Sequence, residues 1–283
     1  MYSWTLLAHW PRTQMETRMS GLSKLIRNPA KYVPIARKAA LLPLCRLFQG
    51  TSLYLQGQMD IHPRSRWYND NFVDATGGLY PKADTVERQI CNLEPHDNTR
   101  RDMLVLLLRT IVEKNIQGDF AELGVYKGHT AKLIHYYAPD RQLHLFDTFE
   151  GFTDRAATSE ANKTNYELSG DLFSDTSLKG VQDYIRAKNG NIVYHQGFFP
   201  DSVPADLQSA RFAFAHLDAD LYEPIAAGIR FFYPRLVKHG VLLVHDYNAW
   251  LGSRKAVDEF FADKSELPVP MPDKSGSVLI IKQ

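Results

Sequence analysis

The sequence has almost no excess of charge of either sign: 33 Lys and Arg stand against 32 Asp and Glu, a formal net charge of +1. A nucleic-acid binder usually shows a marked basic surplus, so the balance speaks against that class of partner. Cysteine is scarce as well. Cys45 and Cys91 are the only two, too few and too far apart for a zinc cluster or a disulfide framework, and a reducing, cytoplasmic setting is expected. No apolar run is long enough to span a bilayer. The mildly apolar residues 1–10 lack the basic start of a signal peptide and run directly into Arg12. What remains is the make-up of an ordinary folded protein, 44% hydrophobic and 12% aromatic over 283 residues, enough for one substantial core.

Acids are nearly absent from the first fifty residues, where Arg12, Arg18, Lys24, Arg27, Arg37 and Lys38 are among the bases facing only Glu16. Apolar residues between Val33 and Phe48 recur at roughly helical spacing, broken by Pro34 and Pro43. Residues 1–58 are therefore expected to form a basic helical arm. It packs on its own domain or on a second subunit of a homodimer, with contact to an anionic membrane surface as the alternative. Residues 59–283 are expected to form the main domain.

In that domain the spacing predicts a helix over Asn98 to Asn115, capped by Asn98 or Thr99, with Met103, Leu104, Leu107, Leu108 and Ile111 as its buried stripe. Short apolar runs then alternate with helical patterns. Strands are predicted over Phe120 to Leu123, Gln142 to Phe146, Asn191 to His195, Phe212 to Leu217 and Gly240 to Val244, and helices over His129 to Tyr137 and Pro224 to Val237. This is the pattern of an α/β fold: a mostly parallel central sheet, Rossmann-like, with helices on both faces. A last strand, Ser277 to Lys282, closes the sheet antiparallel. The polar stretch 152–180, rich in Ser, Thr, Asn and Asp, interrupts the alternation and reads as a lid or substrate loop, or as a plain surface loop.

The first strand ends in Glu122-Leu123-Gly124-Val125-Tyr126-Lys127-Gly128, with Thr130 opening the helix. Glycines at this turn let a ligand approach the backbone. Asp147, ending the second strand, is placed to accept hydrogen bonds from the vicinal hydroxyls of a ribose. An adenosine-containing cofactor is therefore expected over the first two strands. A nicotinamide dinucleotide needs glycine where Glu122 stands, because its pyrophosphate sits on that turn. Two like charges so close repel by several kcal/mol at an effective dielectric of about 20. S-adenosylmethionine has no phosphate, and its ammonium and sulfonium tolerate an acidic turn.

Strands four and five end in Asp218-Ala219-Asp220-Leu221-Tyr222-Glu223 and in His245-Asp246-Tyr247-Asn248. In a parallel sheet these ends are neighbours, and Asp218, His245 and Asp246 converge at the edge where open α/β sheets bind ligands. Carboxylates gathered there suit a hard cation such as Mg²⁺. Asp220 with Glu223 reads as a capping box for the next helix. His216 reads as a core histidine, and His135, His144 and His195 have no companions at ligand spacing.

From Gly78 to the C-terminus the ordered motifs resemble the macrocin O-methyltransferase-like family, class I enzymes that methylate sugar hydroxyls of macrolides and related natural products. The segments Ala121 to Gly128, Phe146-Asp147-Thr148-Phe149-Glu150-Gly151-Phe152, Leu217 to Glu223, Gly240 to Tyr247 and Gly252 to Asp258 carry it. The resemblance implies an S-adenosylmethionine site that includes Glu122, Gly124, Tyr126, Gly128, Thr130, Asp147, Thr148 and Asp218, with Gln196, Gly197 and Phe198 near the adenine. It implies a small-molecule or glycan acceptor, and a metal site led by Asp218, which can double as base. An aspartate pair is usual at the end of strand five, whereas this sequence has His245 and Asp246. Imidazole is a poorer ligand than carboxylate for Mg²⁺ and a better one for Mn²⁺ or Zn²⁺. Two mechanisms remain open at this point, a metal held by Asp218, His245 and Asp246, or a metal-free reaction with His245 as base. A non-catalytic protein that binds the cofactor is the third reading.

Overall fold

The computed structural model of the chain describes residues 97–165, 168, 172–187 and 190–283. The basic arm and the expected domain boundary at residue 59 lie outside these residues. Helix α1 (Asn98–Glu113) buries Met103, Leu104, Val105, Leu108 and Ile111, the apolar stripe that the 3.6-residue period demands. Its cap is Asp97, whose carboxylate accepts from Arg100 N at 3.0 Å, rather than Asn98 or Thr99. The other Asp97 oxygen accepts from Lys274 N at 2.9 Å, which binds the helix start to the last turn of the chain.

Strands β1 (Asp119–Leu123), β2 (Leu143–Asp147), β3 (Ile192–Gln196), β4 (Phe212–Leu217) and β5 (Leu236–Val244) are all parallel. β7 (Val278–Ile281) pairs antiparallel with β5, and the two-residue β6 (Val269–Pro270) pairs antiparallel with β7. The order β3-β2-β1-β4-β5-β7-β6 reverses direction between β1 and β4. A crevice opens at such a point, outside the strand C-termini. Helix α2 (His129–Tyr137), α3 (Asp154–Thr164), α4 (Leu178–Ile185), α5 (Tyr222–Phe232) and α6 (Leu251–Phe261) complete the described elements of interest. Two cores cover the two sheet faces. α1, α2 and α4 pack with Phe120, Leu145, Phe214 and Leu243, while α5 and α6 pack with Phe146, Leu217, Leu242 and Val244. Alternate residues of one strand serve opposite cores, as a sheet covered on both sides requires.

The elements of the main sheet follow the sequence pattern, with three differences. α5 stops at Phe232, where Pro234 leads into a 3₁₀ turn, and β5 begins at Leu236. Proline has no N–H to carry the helix on. The polar stretch after β2 is not one loop but contains α3, capped by Thr153. Glu160 of α3 is buried, and its Oε2 accepts the N–H of Tyr222 at 2.8 Å. α5 has no side-chain cap from its own Leu221, so Glu160 serves as its cap from another helix. A Cβ at Gly252, the second residue of α6, would stand 2.1 Å from that carboxylate, which is why glycine stands there. Among the described residues of this stretch, Asp175 and Thr176 hydrogen-bond Tyr126 in the turn after β1.

The third difference concerns two histidines. His144 Nδ1 and His195 Nε2 are hydrogen-bonded at 3.1 Å across β2 and β3, and Phe146 stacks on His195 at 4.3 Å. The pairing was invisible in sequence because it depends on strand register. Burial, then the neighbouring His144, lowers the His195 pKa from 6.5 to about 4. The unfolded chain therefore binds a proton between those values that the folded chain refuses. Its contribution to stability is complete above pH 6.5 and is lost as pH falls toward 4. The fall in melting temperature between pH 7.5 and pH 5 is expected to be smaller in His195→Gln than in the wild type. An equal fall in both proteins contradicts this.

Candidate active site

A cavity of about 370 Å³ opens at the reversal point, within the range of small-molecule sites. Its lining joins the β1 turn (Glu122, Gly124, Tyr126, Thr130), the β2 and β3 ends (Asp147, Thr148, Gly197, Phe198) and the β4 and β5 ends (Asp218, Asp220, His245, Asp246). Gly128 and Gln196 lie outside the lining: Gly128 is the left-handed N-cap of α2, and the Gln196 amide turns to the Thr148 carbonyl at 3.4 Å.

Gly124 lines the cavity where β1 approaches β4. Its φ is +86°, and a Cβ there would lie 2.1 Å from the carbonyl oxygen of Asp218. Only glycine accepts both the left-handed backbone and the contact. β1 and β4 can thus close on one another and bring the β1 turn beside Asp218.

Asp147 does more than face the cavity. Its Oδ2 accepts from Val125 N at 2.6 Å and Tyr126 N at 2.9 Å, and its Oδ1 accepts from Phe149 N at 2.6 Å. A carboxylate offers about four acceptor sites. Three serve the two turns and the Thr148 hydroxyl also reaches Oδ1 at 3.4 Å, so this residue is committed chiefly to shaping the β1 turn. Above the turn, Tyr126 Oη and Lys127 Nζ donate to Asp175 at 2.5 and 2.6 Å, and the Thr176 hydroxyl donates to the Tyr126 carbonyl. Phe173 stands edge-on to Tyr126 and to Phe152, which in turn meets Trp250.

Glu122 is 1% exposed, and its Oε1 is hydrogen-bonded to His216 Nδ1 at 2.9 Å. Burial, then Asp218, push its carboxyl well above the usual range, while Arg100 pulls the other way. His216 is the core histidine expected, but its partner is the acid near the end of β1.

At the ends of β4 and β5, His245 Nδ1 donates to Asp218 Oδ1 at 2.7 Å and lies 3.1 Å from Asp246 Oδ2. Burial opposes charge on the imidazole, yet Asp218 and Asp246 overcome it and hold the His245 pKa at about 9. Burial alone would also raise Asp218, but Arg100 and then His245 keep it well below the carboxylate range. Arg100, from the first turn of α1, donates through Nη2 to Asp218 Oδ2. Asp220 is not the cap predicted for it. Its φ is +59°, and it turns inward, where burial and then a hydrogen bond to Asp246 raise its carboxyl well above normal. Arg100 and Asp220 are the members of the site that sequence reasoning missed. Asp220 had a signal in the repeated acid of Asp218-Ala219-Asp220; Arg100 had none, since its reach depends on how α1 packs.

Asp218, His245 and Asp246 each offer a ligand atom, and the three atoms lie within 4.8 Å of one another. One nitrogen and two carboxylate donors so close fit a divalent cation, with the imidazole favouring Mn²⁺ or Zn²⁺ more than an all-oxygen set would. None of the described helices is long and apolar enough to cross a membrane.

A sheet of this order with an acidic glycine turn after β1 defines the α/β methyltransferase fold. A family model described as Macrocin-O-methyltransferase (TylF) matches residues 97–277, and the chain belongs to that family. It is 27% identical over 161 residues to the 8-demethyl-8-(2,3-dimethoxy-alpha-L-rhamnosyl)-tetracenomycin-C 4'-O-methyltransferase of Streptomyces olivaceus, covering 52% of this chain and 60% of that protein. The chain thus spans about three-fifths of the length of this relative. It is 27% identical over 215 residues to the Mycinamicin III 3''-O-methyltransferase of Micromonospora griseorubida, covering 67% of this chain and 83% of that protein. Among solved structures, the O-methyltransferase NovP shares the fold with a TM-score of 0.59 at 23% identity, over 66% of this chain and 80% of that one.

Proposed function

We propose that the protein is an S-adenosylmethionine-dependent O-methyltransferase that methylates a hydroxyl of a sugar carried by a natural product, glycolipid or polysaccharide. One observation carries the reading: Asp218 and His245, 2.7 Å apart, line the same cavity as the acidic glycine turn, which meets Asp218 directly at Gly124. The family relatives named for sugar hydroxyls support the choice of acceptor.

The cofactor supplies a sulfonium methyl, to which the acceptor oxygen bonds as the methyl–sulfur bond breaks and its electrons go to sulfur. The β1 turn and the β4 end, locked together at Gly124, hold donor and acceptor in line, and alignment of this kind supplies about 7–11 kcal/mol. The hydroxyl proton passes to the Asp218 carboxylate, which the imidazolium of His245 holds in place. Segment 172–177, tied to Tyr126 and Lys127, acts as a lid that keeps water out. Asp218, His245 and Asp246 would hold a divalent cation, Mg²⁺ or Mn²⁺, which lowers the pKa of a hydroxyl bound to it. A cation-free reaction has its own support, because Arg100 and protonated His245 already balance the charges of Asp218 and Asp246.

Calorimetry with S-adenosylhomocysteine and with NAD tests the cofactor. Binding of the first and not the second is expected; the reverse sinks the proposal. Exhaustive chelation then separates the mechanisms. Turnover that survives it removes the cation and leaves the transferase.

A further inference from the structure

The turn between β6 and β7 meets the candidate site from behind. Asp273 in this turn has a side chain with no exposure to solvent, and it lies outside the lining of the cavity. Its Oδ1 accepts the N–H of Ser277 at 2.7 Å and its Oδ2 the Ser277 hydroxyl at 2.9 Å. Both partners are neutral, and a buried carboxylate held by neutral donors alone is costly. Among the described residues, the one cationic group in ion-pair range is His245, whose Nε2 lies 3.7 Å from Asp273 Oδ2. That separation is too long for a hydrogen bond, but between groups so buried the charge interaction is strong. The same turn is fastened on two further sides. Lys274 N donates to Asp97 Oδ2 at 2.9 Å, and the other oxygen of Asp97 caps α1 at Arg100 N. The Ser275 carbonyl accepts Asn248 N at 3.0 Å, and a Cβ at Gly276 would stand 2.6 Å from the Cβ of Asn248. One turn is thus tied to the start of the helix that delivers Arg100 and to the segment that follows His245.

His245 shows its two ring nitrogens to different acids. Nδ1 faces Asp218 and Asp246 at the cavity, and Nε2 faces Asp273 behind it. The partner of one ring nitrogen decides what the other presents. We infer that Asp273 is a positioning residue that keeps a proton on His245 Nε2 and the ring turned with Nδ1 toward Asp218 and Asp246. A ring rotated by 180° would place a carbon at each of the two positions and lose both contacts at once. The placement serves either mechanism left open above, since Nδ1 is presented to the cavity whether it carries a proton or a cation. Asp273 touches neither donor nor acceptor, so it acts only through His245. The inference rests on the proposed transferase for its catalytic meaning, while the ring geometry is measured without it.

The test is ¹⁵N NMR of the full chain labelled at histidine and held at one pH, with the His245 ring signals assigned by their loss in His245→Gln. In the wild type the Nε2 proton is expected to be resolved and protected from exchange with water, an observation that needs no variant to fold. Asp273→Asn keeps the size of the side chain and an oxygen for Ser277. It is expected to shift both His245 ring nitrogens and to expose the Nε2 proton to exchange, while the His216 ring keeps its signals. Ser277→Ala weakens the turn but leaves the carboxylate, so it is expected to lower the melting temperature and to leave the His245 signals in place. Calorimetry with Mn²⁺ alone adds a second readout. Asp273→Asn is expected to weaken Mn²⁺ about tenfold to a hundredfold, the usual effect of removing the outer partner of a ligating histidine, and to leave S-adenosylhomocysteine within about twofold. The inference is overturned if Asp273→Asn leaves the His245 ring signals unmoved or the Mn²⁺ affinity unchanged. It is equally overturned if Ser277→Ala moves those signals as far, because packing of the turn and not the carboxylate would then set the ring. A wild type that shows the expected ring signals but binds no Mn²⁺ upholds the inference and removes the cation from the proposed function. Expected ring signals in a wild type that binds no S-adenosylhomocysteine uphold the placement of His245 and sink the transferase reading alone.

Discussion

Asp218→Asn is expected to lower kcat by about 10²–10⁴, the range of a lost proton acceptor, without weakening the affinity for S-adenosylhomocysteine. The asparagine keeps an oxygen near His245, and the shape of the β4 end survives. The negative charge that orders His245 and Arg100 disappears. Arg100 Nη2 then loses its carboxylate, and breaking a buried ion pair by removing one partner costs about 3–5 kcal/mol of stability. The kinetic measurement must therefore be made well below the variant's melting temperature. Single-turnover rates in saturating donor, alongside calorimetry with S-adenosylhomocysteine, read the two effects apart. A variant with full turnover would show that neither base nor cation depends on Asp218.

Gly124→Ala is the second large effect and falls on the fold. Overpacking costs about 1–3 kcal/mol and a non-glycine residue in the left-handed region about as much again. A total of about 3 kcal/mol or more is expected, because the obstructing atom is the Asp218 carbonyl, 2.1 Å from the new Cβ, and a strand end cannot move aside cheaply. For a domain of this size the melting temperature should fall by roughly 6–12 °C. Gly190→Ala is the control. Its φ is also positive, +67°, but nothing lies within 4 Å of the added carbon, so it carries strain without collision. Equal losses at the two positions would mean that the close approach of β1 and β4 is not what requires Gly124.

The contrast between these glycines and the rest of the site shows what a linear sequence can reveal. Strands, α1 and α2 were legible because their signals are periodic and local: Met103, Leu104, Leu108 and Ile111 repeat at the helical period wherever the helix packs. Glu122, Asp147, Asp218 and Asp246 were legible because each ends a strand, and strand ends in a parallel sheet share an edge. Arg100, Glu160 and the His144–His195 pair were not. Each acts across a packing interface, between α1 and β4, α3 and α5, or β2 and β3, that no spacing in the chain encodes. Asp220 was misread for a related reason. Its spacing to Glu223 fits a capping box, but a left-handed backbone turns it toward Asp246 and leaves the cap to Glu160. Glu122 was recognised by its charge, yet in the folded protein burial and Asp218 push that carboxyl toward neutrality. The electrostatic case against a pyrophosphate is therefore weaker in the folded protein than the sequence alone suggests.

The central claim is methyl transfer from S-adenosylmethionine to a sugar oxygen, and its most direct test uses donor labelled with ¹³C at the methyl group. The protein is incubated with a panel of acceptors that includes glycosylated polyketides, glycolipids and polysaccharides, and products are examined by mass spectrometry and NMR. The account predicts a product one labelled methyl group heavier, with the carbon bonded to a sugar oxygen, and its loss in Asp218→Asn. Label found on nitrogen or carbon, or donor bound with no label passed to any hydroxyl, would contradict it.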